Sequence, residues 1–140
     1  MEKVFEDELM ELHTACISLC LEAVPNADKV YAYCSIERAG YMFNAFFVVD
    51  GEVRTLGKAG VSGKRAMALL SDGTRGLTRY EDLCGRYGHP VPAEIKMVYD
   101  VRGKKLDVQY GYEEVVSSDA EICAEDVFTD WYDQVLKSSR

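Results

Sequence analysis

Two histidines, five cysteines and a surplus of carboxylates are the side chains here with chemistry to offer. His13, Cys16 and Cys20 stand at i, i+3 and i+7, so a helix would bring them to one face, where nitrogen and sulfur donors suit zinc. A tetrahedral site needs a fourth ligand, and no Cys-x-x-Cys or His-x-x-x-His pair supplies a frame for it. Both cysteines also fall on an apolar stripe, where an uncharged thiol packs as a small hydrophobe. Core packing without a metal is therefore expected. Cys84 and His89 bracket a predicted helix end, but a thiol–imidazole nucleophile needs a third group to orient the ring, and none can be named. Gly57–Arg65 (GKAGVSGKR) looks like a phosphate loop. Five residues rather than four separate Gly57 from Gly63, however, and Arg65 replaces the hydroxyl that would hold magnesium. Glu113-Glu114 and Glu125-Asp126 are adjacent pairs, whose side chains diverge on a strand or helix rather than converge as paired acids. The residues point away from an enzyme and from any cofactor.

The carboxylates have a different use. Between Glu113 and Asp133 lie Glu113, Glu114, Asp119, Glu121, Glu125, Asp126, Asp130 and Asp133, with no Lys or Arg. The formal charge is −8, and the rest of the chain holds sixteen acids against sixteen bases, so the whole excess sits in this stretch. Such a patch repels nucleic acid and anionic membranes and steers basic partners toward itself. Part of it has a local explanation. Ser118 and Glu121 fit a capping box, and acids near Asp119–Asp126 would favour a helix N-terminus. Capping uses one or two acids, and the run continues to Asp133. From Arg54 to Arg86 the bias reverses, with seven bases against three acids. The aromatic interleaving of a nucleic-acid platform is missing there, so those bases are expected to meet acidic helices or solvent.

These side chains need elements to position them. Helical spacing of Phe5, Leu9, Leu12, Cys16, Leu19 and Cys20 predicts a helix over Val4–Ala23, closed by Pro25 and Asn26. Alternation predicts a strand over Lys29–Glu37. Tyr41–Val49, apolar on both faces, reads as a central strand, and Asp50-Gly51 as a hairpin turn into Glu52–Leu56. Ser62 is placed to cap a short helix to Leu70, with a second helix over Thr78–Tyr87 ended by Gly88, His89 and Pro90. Strands Glu94–Val101 and Lys105–Tyr112 flank an Arg102-Gly103-Lys104 turn, and a last helix spans about Ala124–Lys137. The expected class is α+β: an antiparallel sheet of about five strands with helices packed on it, in the order α-β-β-β-α-β-β-α. A chain of 140 residues, read as one domain over 1–140, buries enough surface to fold without metal or disulfide. Its acidic, amphipathic start is unlike a signal peptide, no apolar run spans a membrane, and the odd cysteine count fits no disulfide framework. A cytosolic protein with reduced thiols is expected.

Several segments together resemble the YezG-like immunity protein family, the antitoxins of polymorphic and contact-dependent toxin systems. They are a helix ending in Val24-Pro25 followed by Asp28–Tyr33, and a helix ending in Gly88-His89-Pro90. Lys96–Asp100 follows, then Gly103–Glu113 (GKKLDVQYGYE), and finally an acidic segment before a helix carrying Trp131-Tyr132. The resemblance implies a bacterial antitoxin without activity of its own, which binds a toxin domain, often a nuclease, and blocks it. Nucleases that grip phosphate are basic, so the charge argument reaches a compatible expectation. The residues expected to contact a cationic toxin are Asp107, Tyr110, Tyr112, Glu113, Glu114, Asp119 and Glu121, with Glu125 and Asp126 beside them. Acids would steer and tyrosines would anchor. A monomer and a homodimer both fit. The other reading left open is a homodimeric small-ligand-binding or protein-interaction domain without catalysis.

Overall fold

The computed structural model describes residues 4–37, 40–113 and 123–138. Among them the elements run α1 (Phe5–Ala23), β1 (Lys29–Glu37), β2 (Gly40–Val49), β3 (Glu52–Thr55), α2 (Gly63–Tyr87), β4 (Glu94–Asp100), β5 (Lys105–Gly111) and α3 (Ala124–Ser138). This is the expected α+β order. The sheet runs β3-β2-β1-β4-β5 with every neighbouring pair antiparallel. Asp50 and Gly51 have φ of 52° and 78°. Two successive positive values give the turn twist that matches a tight hairpin, and they lock Val49 opposite Glu52.

Strand periodicity sorts side chains into two interiors. Val30, Ala32, Cys34 and Ile36 of β1 and Phe43, Ala45, Phe47 and Val49 of β2 face α1 and α2, joined by Ile95 and Met97 of β4. Tyr33, Phe46 and Val53 face the other way, under Phe128 and Tyr132 of α3. The molecule therefore has three layers, with a helix pair on one side of the sheet and a single helix on the other. Among the described residues no helix is long and apolar enough to cross a membrane.

One local expectation needs correction. The segment read as two short helices is one helix of 25 residues. Its start and stop are as expected: Ser62 Oγ accepts the Arg65 N–H at 3.3 Å, and Gly88, at φ 62°, donates its N–H to Cys84 and Gly85 carbonyls. Gly73 and Gly76 lie within it, but Leu69, Leu77, Tyr80 and Leu83 bury one continuous stripe. That burial outweighs a glycine cost of roughly 1 kcal/mol. Gly73 is also needed where α2 crosses β2, since a Cβ there would overlap the Phe43 ring. In α1 the deepest line is His13, Ile17 and Cys20. The predicted stripe positions Leu9, Leu12, Cys16 and Leu19 flank it, half-buried. Nothing in the residue types alone selected a histidine for the centre of that face.

Candidate functional site

The residues expected to meet a partner divide between the two sides of the sheet. Asp107 is exposed and, by alternation along β5, points to the α3 side. Glu125 and Asp126 are exposed in the first turn of α3, followed by exposed Asp130 and Asp133. Asp126 also has a structural task. Its carboxylate accepts the Cys123 N–H at 3.1 Å and the Cys123 thiol at 3.2 Å, which caps the helix and holds Asp126 below the usual carboxylate range. Glu114, Asp119, Glu121 and the Ser118–Glu121 capping box lie outside the described residues. Beneath α3, Lys96 Nζ lies 3.7 Å from Glu94 and 5.5 Å from the centroid of the Trp131 ring. Glu94 also accepts the Tyr33 hydroxyl at 2.7 Å, and burial together with that bond pushes the Tyr33 pKa up.

Tyr110, Tyr112 and Glu113 occupy the other end of β5, and the tyrosines lean to the helix-pair side. There they join an aromatic group that sequence spacing did not disclose. Phe5, at the start of α1, stacks on His89 with centroids 4.5 Å apart and meets Tyr87 edge-on at 5.5 Å. The His89 and Tyr112 rings are 6.3 Å apart. Tyr112 is 51% exposed and Tyr110 39%, and Val4, Tyr87 and Val91 nearby are exposed as well. Acids border the patch. Glu113 follows Tyr112, and Glu6, Asp7 and Glu8 fill the first turn of α1. Glu8 is tied inward by Arg86 at 3.1 Å and by the Tyr87 hydroxyl. Arg65 likewise donates to the Glu22 carbonyl at 2.7 Å, so bases of the middle segment serve contacts between α1 and α2. His89 is engaged by Phe5 and by the Pro90 carbonyl at 2.7 Å, while Cys84 is buried with its thiol pKa raised by desolvation.

Below the patch is a polar group inside the core. His13 is fully buried, with Nδ1 2.8 Å from the Tyr80 hydroxyl and Nε2 2.8 Å from the Tyr110 hydroxyl. A neutral imidazole has one donor and one acceptor, so one tyrosine donates and the other accepts. Burial lowers the His13 pKa to about 4 and pushes those of Tyr80 and Tyr110 up. With both nitrogens used, the ring offers neither a metal lone pair nor a free base. Its partners lie 67 and 97 residues away, so no sequence window could have found the arrangement. Compared with models of known protein families and with curated proteins, the chain matches none.

Proposed function

We propose that this chain is an immunity protein, a non-catalytic inhibitor that binds a cationic toxin domain of the nuclease class. The observation that carries the reading is the patch at the end of β5. Exposed Tyr112 lies beside His89, which stacks on Phe5 next to Tyr87, with Tyr110 two residues back along β5, and carboxylates of Glu113 and of the α1 first turn border them. Rigid aromatic side chains supply contact area at low entropic cost, and they dominate binding energy where water is excluded. Surrounding acids add attraction to a phosphate-gripping basic surface and accelerate encounter. The acids of α3 and Asp107 lie on the other side of the sheet and extend the same negative field, so they act in steering rather than anchoring. His13 supports the patch from below by fixing the Tyr110 hydroxyl.

The test is a double variant, Tyr112→Ala with Glu113→Lys, assayed for affinity to the toxin domain encoded beside it and for protection of cells that produce that toxin. Loss of one anchor and reversal of one contact charge should weaken binding by about 10- to 100-fold. A charge reversal at Asp130 and Asp133 should slow association with little change in dissociation. Unchanged affinity and protection in the double variant at low salt would remove the patch from the interface. The same aromatic patch also suits self-association. A solution mass of two chains that falls to one with Tyr112→Ala would assign the patch to a homodimer instead.

A further inference from the structure

The edges of the described sheet are β3 and β5, and they are unequal. β3 is four residues long and carries a Glu52–Arg54 ion pair at 3.0 Å. β5 is seven residues long and contains no proline, and among the described residues its only strand neighbour is β4. Its outer backbone N–H and C=O groups therefore form a row open to a further strand. One side of β5 is apolar. Leu106 and Val108 are half-buried at the rim of the helix-pair core, and Tyr110 is 39% exposed with its hydroxyl held by His13. Asp107 and Gln109, on the other side, are exposed. The two ends of the strand carry opposite charge. Arg102, Lys104 and Lys105 lie at its start and Glu113 just past its end, all exposed.

We propose that β5 pairs antiparallel with β5 of a second copy of this chain, joining the two sheets into one across a two-fold axis. Opposed strand directions set the basic start of each β5 beside the acidic end of its mate, and the two-fold makes that attraction occur twice. A two-fold perpendicular to the sheet keeps the apolar side of one strand flush with the apolar side of the other. Residues facing each other must then belong to the same side, which puts one residue opposite itself on the axis. With Val108 there, the middle residue, all seven residues are paired: Leu106 with Tyr110, Asp107 with Gln109 and Lys105 with Gly111. No like charges stand opposite each other, and the aliphatic–aromatic pairs close the apolar rim that a single chain leaves half-open. An axis at Asp107 would set two carboxylates face to face, and any other position moves strand residues past the end of the mate. Tyr112, the anchor of the proposed toxin contact, lies outside the paired segment, so the inference does not rest on that partner.

Sedimentation equilibrium of the full chain, with no other protein present, reads the dimer directly. A single strand pair buries less than a large obligate interface, so the run is made at about 100 µM, well above a micromolar dissociation constant. The expected mass is that of two chains. It should stay so in Tyr112→Ala, which separates this edge from association through the aromatic patch. The register is read by cross-linking in a Cys123→Ser background, which removes the exposed thiol. Val108→Cys should form a disulfide between copies on mild oxidation, since directly opposite Cβ atoms lie about 4.5–5.5 Å apart. Asp107→Cys alone and Gln109→Cys alone should not, because diagonal residues are about 7–8 Å apart, whereas the two mixed should. A one-chain mass at that concentration would overturn the proposal, and so would a dimer in which Val108→Cys does not cross-link. A dimer lost in Tyr112→Ala would overturn it equally, in favour of the patch. The mass of the native chain needs no variant to fold.

Discussion

A buried imidazole between two phenols makes stability depend on pH. The unfolded chain takes up a proton at His13 near pH 6.5, whereas the folded chain resists until about pH 4. Between those values the unfolded state binds more protons, so the contribution is fully present above pH 6.5 and declines as pH falls toward 4. Chemical denaturation of the native chain should show a loss of roughly 2 kcal/mol between pH 7 and pH 5 from this group. His13→Gln should lack that part of the slope, though it will be less stable at pH 7 because two hydroxyls lose an ideal partner. An unchanged slope in the variant would show that His13 is not kept neutral by the fold. At this scale the sequence disclosed little. The apolar setting of Cys16 and Cys20 was legible from spacing, because a helix face is a local property. The pairing of His13 with Tyr80 and Tyr110 arises only when distant elements meet.

At the scale of elements, period and turn chemistry carried most of the fold. β1 was readable from its alternation and β2 from a long run apolar on both faces, and Asp50-Gly51 fixed the hairpin from β2 to β3. α2 was divided wrongly because glycine was read for its helix cost and not for the close approach it permits. Gly73→Ala tests this directly. By helix propensity alone it would stabilise by about 1 kcal/mol, but its methyl group would meet the Phe43 ring. Thermal or denaturant unfolding should instead show a net loss of about 1–3 kcal/mol, as in other overpacked cores. Adding Phe43→Leu should recover part of it through direct coupling between the two sites. A stabilised single variant would mean that α2 is free to lift away from β2. The candidate site was partly legible for a similar reason. Tyr112 and Glu113 stand out in a strand of alternating residues, whereas Phe5, Tyr87 and His89 reach them only through the crossing of α1, α2 and β5.

Across the whole molecule the two sides of the sheet are unequal. The helix-pair side buries long stripes from α1 and α2, while α3 contributes only Phe128 and Tyr132 as buried residues. The Tyr132 hydroxyl has no hydrogen-bond partner among the described residues, a small cost on that side. Amide hydrogen exchange should therefore find α3 opening at lower free energy than β1, with its protected amides exchanging at least about tenfold faster. Equal protection would make the three layers one cooperative unit. The overall charge of −8 has no part in choosing this architecture. It acts on solubility and on encounter with basic partners. β1 is common to both interiors. Tyr33 and Cys34 are consecutive, yet one side chain belongs to the aromatic group under α3 and the other to the core beneath α1 and α2. The strand is a party wall: a displacement made from either room is felt in the other, and neither can be refurnished without its neighbour's consent.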